Sequence, residues 1–230
     1  MKHSKKTATN KKGGNAVKNK KAVVILSGGM DSTTLLYKMI HDGFQCQAVS
    51  FDYGQRHKKE LEFAKAICEK LSVGHRIVDV SSINQLLQGS ALTSDIAVPE
   101  GHYAEPTMKQ TVVPNRNMIM ISLAVGYAVS LEAGTVAFGA HAGDHAIYPD
   151  CRKEFVKALN KSTMIANYQP VRVIAPFLNL DKGDIAIIGK ELGVDFSNTW
   201  TCYKGEDKPC GKCGACVERA EAMKKAGVKE

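Results

Sequence analysis

Short β-branched runs alternate with longer stretches of helical period along most of this chain, a pattern that suits a parallel sheet covered by crossover helices. Residues 22–26 read as a first strand and residues 33–41 as the helix that follows it. Residues 47–53 and 76–80 read as the next two strands, on either side of a helix over 57–71 in which Leu61, Ala64, Lys65 and Cys68 recur at helical spacing. A helix over 117–131, a strand over 135–139, a helix over 152–165 and a strand over 171–175 continue the alternation. Asp181 is placed to cap a further helix reaching Leu192, with Gly193 as its stop. Residues 81–113 break the pattern with Pro99, Pro106 and weak periodicity, and read as an irregular segment that could serve as a substrate lid. The expected fold is therefore α/β, a doubly wound, mostly parallel sheet.

The junction of the first strand with its helix is Ser27-Gly28-Gly29-Met30-Asp31-Ser32. A chain turning from a strand into a helix exposes unpaired backbone N–H groups, and glycines allow both the turn and the close approach of an anion. The stretch expected to bind ATP is Leu26, Ser27, Gly28, Gly29, Met30, Asp31, Ser32, Thr33, Thr34, Leu35 and Leu36. Ser27, Ser32 and Thr33 supply hydroxyl donors, and Asp31 is placed to help hold the Mg²⁺ that accompanies the nucleotide. No lysine stands where a G-x-x-x-x-G-K-[ST] loop would meet the terminal phosphates, which points away from γ-phosphoryl transfer. The order Ser-Gly-Gly-x-Asp-Ser after a strand resembles the loop of the N-type ATP pyrophosphatases. That resemblance implies cleavage between the α and β phosphates, with adenylation of a substrate. An ordinary strand-to-helix turn is the plainer alternative.

Cys202, Cys210, Cys213 and Cys216 are spaced C-x7-C-x2-C-x2-C, whereas Cys46, Cys68 and Cys151 are scattered. Such clustering favours a metal in a reducing cytoplasm over disulfides in a secreted chain. Four thiolates suit a tetrahedral zinc with no position left open for water, hence a structural one; an iron–sulfur cluster takes the same ligands.

The formal charge of +8 is not spread over the chain. Eight lysines and no acid fall within residues 1–21, so the remaining residues balance to neutrality. The domain organisation expected is a disordered lysine-rich tail over 1–20, an α/β domain over 21–195 and a zinc-binding segment over 196–230. The tail has neither the apolar run of a signal peptide nor the arginines of a transit peptide. The longest nearly apolar stretch, residues 118–131, is shorter than the about 20 residues a membrane span needs.

Three further segments are dense in polar groups. Phe51-Asp52-Tyr53-Gly54-Gln55-Arg56-His57 ends a strand, at the edge where doubly wound sheets bind ligands. Val113-Pro114-Asn115-Arg116-Asn117 precedes an apolar helix, where an asparagine can simply cap. Residues 141–152 carry His141, Asp144, His145 and Asp150 at no diagnostic metal spacing and read as a substrate-binding loop.

Together with the loop at Ser27 and Thr199-Trp200-Thr201-Cys202-Tyr203, these segments closely resemble the 7-cyano-7-deazaguanine synthases of queuosine biosynthesis, over about residues 21–222. The lysine-rich extension lies outside that family's pattern. The resemblance implies an adenine nucleotide alpha hydrolase-like fold, a structural zinc, a homodimer, and conversion of 7-carboxy-7-deazaguanine, ammonia and ATP into the nitrile, AMP and pyrophosphate. Arg56, Arg116 and Lys182 are then candidates for phosphate or carboxylate charge, and Asp144 and Asp150 for the amino edge of the deazaguanine. Cys151 invites a covalent role, though adenylation alone activates the carbonyl. Two other readings compete: a tRNA-modifying ATP pyrophosphatase that adenylates a base, and a non-catalytic zinc adaptor for nucleic acid. The neutral body argues against direct nucleic-acid binding, and the scarcity of basic and aromatic residues around Cys210–Cys216 argues against the adaptor.

Overall fold

The structure, a computed structural model, describes residues 20–102 and 105–229. Apart from Lys20, the tail expected to be disordered lies outside the described residues. Five strands, β1 (Lys20–Ile25), β2 (Phe44–Asp52), β3 (Gly74–Asp79), β4 (Thr135–Ala137) and β5 (Arg172–Ile174), form one sheet in the order β3-β2-β1-β4-β5. Every pairing in it is parallel.

Strands buried on both faces explain the near-continuous apolar runs of the sequence. Along β1 the side chains alternate: Val23 joins Met120, Ile121 and Ala124 of α3 (Arg116–Ser130), and Val156 and Leu159 of α4 (Lys153–Thr163), in the core of one face. Ala22 and Val24 join the core of the other face. There they meet Leu35, Leu36 and Met39 of α1 (Met30–His41), Ala64 and Ile67 of α2 (Lys59–Lys70), and Ile185 of α5 (Lys182–Glu191). The chain thus winds outward from β1 with helices on one face, then returns to β4 with helices on the other. The strand order reverses between β1 and β4, and at such a reversal the strand ends splay to leave a ligand crevice.

Strand and helix boundaries fall within about three residues of the sequence reading, the usual scatter for element ends. The largest useful shift is that α1 begins at Met30, so the second half of the glycine loop is already the helix's first turn. Asp181 caps α5 as expected: its side chain accepts from the Asp184 N–H at 2.9 Å, and the Asp184 carboxylate accepts from the Asp181 N–H at 3.1 Å. The described residues between 81 and 113 are irregular apart from two short 3-10 turns, Ser81–Gln85 and Pro106–Thr111, and they are not a free lid, because Ser90, Ala91, Leu92, Met108 and Thr111 are buried and tie the segment to the body.

A sixth helix, α6 (Gly214–Ala226), starts among the cysteines, with Cys213 in its capping position and Cys216 in its first turn, and was not foreseen. Its buried face is small, Ala222, Met223 and Ala226 against Ala186 of α5 and Phe196, with Arg219 also buried. Small residues produce little hydrophobic periodicity. No described helix is long and apolar enough to cross a membrane.

Candidate functional site

A cleft of about 240 Å³ opens beyond the carboxyl ends of β1, β2 and β4, at the reversal point. Its floor is the loop after β1. Ser27, Gly29, Met30, Asp31 and Ser32 line it, with Gly139 from beyond β4 alongside. The loop is held by its own side chains: the Ser27 and Ser32 hydroxyls lie 3.0 Å apart, the Ser32 oxygen accepts from the Ser27 N–H at 3.1 Å, and the Ser27 oxygen accepts from the Gly29 N–H at 3.2 Å. Gly28 takes φ +91°, and a Cβ there would stand 2.1 Å from the Glu60 carbonyl oxygen, so the loop rests directly on α2. From the other side the Trp200 N–H donates to the Gly28 carbonyl at 3.0 Å.

The positive charge beside the loop is Lys182, the first residue of α5. Its ammonium contacts Glu218 at 2.6 Å and Asp31 at 3.3 Å. Burial opposes the charge on Lys182, but these two carboxylates more than offset it and hold the amine firmly protonated. The second Asp31 oxygen, Oδ1, is buried with no hydrogen-bond partner. An orphaned carboxylate oxygen beside a glycine loop and helix N-terminus has the chemistry to hold a Mg²⁺, which binds through one or two carboxylates together with phosphate oxygens.

Across the cleft stands Arg116, the first residue of α3, whose guanidinium lies 5.7 Å from the centre of the Tyr53 ring. Burial works against this charge too, and the surrounding Tyr53, Tyr148, Asp150 and Cys151 outweigh it. Glu60, from the first turn of α2, also lines the cleft; burial pushes its carboxyl up to about 7 despite the pull of Arg116. The far wall contains Asp144, Tyr148, Cys151 and Asn117. Asn117 donates from Nδ2 to the Cys151 sulfur at 3.3 Å, and burial, reinforced by Asp144 and Asp150, keeps that thiol protonated.

Two of the residues expected to handle charge or substrate do not reach the cleft. Arg56 is exposed and donates to the Ile96 carbonyl at 2.9 Å, so it braces the irregular segment. Asp150 accepts from the Asn117 N–H at 3.1 Å and caps the start of α3, where the residue in the capping position, Asn115, is left-handed and offers no side-chain bond. Leu26, Leu35 and Leu36 are fully buried in the core beneath the loop, and Thr33 and Thr34 are buried outside the cleft lining. Sequence reasoning missed Glu60, which looks like ordinary first-turn acid, and Glu218, which lies on the unforeseen α6. It also assigned no role to Trp200 and Thr201, which line the cleft.

The four cysteine sulfurs lie within 4.8 Å of one another, so Cys202, Cys210, Cys213 and Cys216 are placed to hold a metal ion. Backbone N–H groups of Lys212 and Cys213 donate to the Cys210 sulfur at 3.4 and 3.3 Å, and that of Cys210 to Cys202 at 3.4 Å. The Cys213 thiol is pushed down to about 5, first by the Cys216 thiol and then by backbone donors. Four sulfurs that converge this closely fit one ion: a tetrahedron with arms of about 2.3 Å fits within that span. A four-iron cube puts each thiolate on a different iron and spreads the sulfurs wider.

The metal site is joined to the cleft. Trp200 stacks on Phe63 of α2 at 5.8 Å, its indole N–H donates to the Cys202 carbonyl at 2.9 Å, and Thr201, Tyr203 and Ala215 form part of the cleft wall. Arg219 of α6 fixes the approach to this wall, donating to the Thr199 and Thr201 hydroxyls at 2.8 and 3.0 Å and to the Phe196 carbonyl at 2.7 Å.

Comparison with known proteins gives a consistent result. The sequence model of the family described as queuosine biosynthesis protein QueC matches residues 21–227. The 7-cyano-7-deazaguanine synthase of Alteromonas mediterranea is 62% identical over 206 residues, covering 90% of this chain and 94% of that one. The enzyme of the same name from Pseudoalteromonas atlantica is 57% identical over 210 residues, 91% and 96% of the two chains. Among solved structures, NMN synthetase from Francisella tularensis shares the fold with a TM-score of 0.51 at 13% identity, over 93% of this chain and 79% of that one. A 4-thiouridine synthetase in complex with RNA and bound ATP does so with a TM-score of 0.51 at 17% identity, over 90% of this chain and 50% of that one.

Proposed function

The chain belongs to the family of the queuosine biosynthesis protein QueC, and from that membership we propose that it converts 7-carboxy-7-deazaguanine, ammonia and ATP into 7-cyano-7-deazaguanine, AMP and pyrophosphate. It is an enzyme of queuosine biosynthesis. The observation that carries the ligase chemistry is that one cleft joins the anion cradle of Ser27–Ser32 to two separate cations, Lys182 of α5 and Arg116 of α3, from helices on opposite faces of the sheet. A nucleotide and a carboxylate substrate need just such a division of charge.

A carboxylate is a poor electrophile, so adenylation must precede attack by ammonia, which then gives an amide. Adenylation of the amide oxygen and loss of AMP leave the nitrile. One site serves both rounds, because each activates an oxygen on the same carbon. In this reading the loop N–H groups and Lys182 hold the phosphates, Asp31 holds the Mg²⁺, Arg116 holds the substrate carboxylate and Asp144 accepts from the amino edge of the deazaguanine. The Mg²⁺ supplies charge neutralisation as pyrophosphate departs. The cysteines hold zinc, whose four thiolates leave no position for chemistry. The reading extends to a cytoplasmic homodimer acting on small molecules without direct nucleic-acid contact.

Protein incubated with ATP, ammonium and 7-carboxy-7-deazaguanine is expected to form the nitrile, detected by mass spectrometry, and to form none when any of the three is omitted. Zinc-loaded protein that makes no nitrile overturns the proposal. Because the Cys151 thiol is held protonated, Cys151→Ser is expected to keep kcat/KM within about twofold of the parent. A loss on the order of 10²-fold in an otherwise stable variant would instead support a covalent acyl intermediate.

A further inference from the structure

The roles above leave one carboxylate in the cleft unused. Glu60 reaches it from the first turn of α2, and its backbone carbonyl abuts Gly28, so its position relative to the nucleotide loop is set by main-chain contact. Its side chain makes no hydrogen bond or ion pair with another described residue; Arg116 acts on it only through the field. Neighbouring groups are committed elsewhere. Asp31 contacts Lys182, Asp144 accepts from the His141 N–H at 3.2 Å, and the Cys151 thiol receives the Asn117 amide.

We propose that Glu60 is the general base that removes protons from the ammonia nitrogen, a role that rests on the nitrile-forming reaction above. The nitrile nitrogen keeps none of ammonia's three hydrogens, so a base is needed repeatedly. When nitrogen attacks the acyl adenylate, the C–N bond forms and the C–O bond to AMP breaks. The nitrogen is cationic until one proton leaves for the carboxylate. Adenylation of the amide oxygen converts its C=O π bond into a C=N bond and acidifies the nitrogen, which loses one proton; the second C–O bond to AMP then breaks as a second C–N π bond forms and the last N–H proton leaves. Both protons pass to the base and on to water between steps. No oxidant or further reactant is needed.

A working base must be ionised yet not too weak. A carboxyl pushed up to about 7 by burial meets that condition near neutrality, where a solvent-exposed glutamate would be a poorer proton acceptor. Arg116 on α3 and Tyr53 past β2 face Glu60, His57 precedes it, and Asp31 and Lys182 stand across the cleft. Burial lowers His57 below its usual range, away from the range of Glu60.

The test compares two half-reactions in Glu60→Gln. Exchange of labelled pyrophosphate into ATP, driven by the carboxy-deazaguanine without ammonia, is expected to stay within about threefold of the parent, whereas kcat/KM for ammonia falls on the order of 10²-fold. The carboxylate is the active form, so the parent's kcat/KM per free ammonia rises with pH and levels above about 7, and this limb is expected to vanish in Glu60→Gln and partly return in Glu60→Asp. Parental kcat/KM in Glu60→Gln, survival of the limb, or equal loss of exchange and amidation would each overturn the role. Absence of exchange in the parent itself would count against the adenylation chemistry instead, so the two failures are distinct.

Discussion

Gly28→Ala is expected to lower kcat/KM by on the order of 10³-fold or more and to destabilise the protein by about 3–5 kcal/mol, a fall in Tm of roughly 6–20 °C. Two effects combine. At φ +91° an alanine costs about 1–2 kcal/mol from its own backbone. The added methyl would also lie 2.1 Å from the Glu60 carbonyl oxygen and 2.9 Å from the Ala64 nitrogen. Both are main-chain atoms of a helix packed on the sheet, so neither can rotate aside. The loop cannot retreat either, because the Trp200 N–H holds the Gly28 carbonyl from the opposite side. What moves is the phosphate cradle. Gly43→Ala separates the two effects: Gly43 has φ +82° but nothing within 4 Å, so its alanine is expected to cost only the backbone term and to leave kcat/KM unchanged within about twofold. Calorimetry and steady-state kinetics on the pair check this. If Gly28→Ala behaved like Gly43→Ala, contact with α2 would not be what fixes the loop.

The same residue marks the boundary between what the sequence discloses and what it does not. Sheet, winding and nucleotide loop were legible because each leaves a local trace: β-branched runs for strands buried on both faces, helical period for the covering helices, and Gly28-Gly29 where backbone must face an anion. The cysteines were legible from spacing. Glu60 was not, since a glutamate in a helix's first turn is favoured by the helix dipole wherever it occurs, and only the approach of Gly28 reveals which one reaches the cleft beside the glycine loop. Arg56 and Asp150 misled for the complementary reason. Their neighbours Gln55 and Cys151 do line the cleft, but one step along the chain redirects a side chain, and these two are engaged in holding the Ile96 carbonyl and the α3 N-terminus. α6 escaped notice because alanines pack well while contributing almost nothing to a hydrophobic pattern.

Removing the metal is expected to abolish activity while leaving most of the α/β core folded. Such a site contributes about 10–16 kcal/mol in zinc peptides, and here it acts on a segment without regular secondary structure. Between Thr199 and α6 the chain is otherwise held by the Trp200–Phe63 stack, by Arg219, by a small apolar cluster around Cys202 and Cys213, and by polar contacts such as those of Lys59 with the Glu206 carbonyl, Lys204 with Glu100 and the Gly101 N–H with the Lys212 carbonyl. Four converging thiols without an ion repel one another as thiolates or bury polar sulfur unsatisfied, so the segment should open once the ion is gone. Opening releases Thr201, Tyr203 and Ala215 from the cleft wall and the Trp200 N–H from Gly28. Protein stripped with a chelator, its metal content checked by atomic absorption, is thus expected to lose hydrogen-exchange protection over residues 199–216 and to lose turnover at least about 10²-fold, both returning on addition of Zn²⁺. Cys213→Ser should reproduce the loss without recovery on added metal, because three ligands no longer close the site around α6's first turn. Full turnover by demonstrably metal-free protein would show instead that the stack and Arg219 suffice to hold the wall, and the metal would then have no part in shaping the cleft.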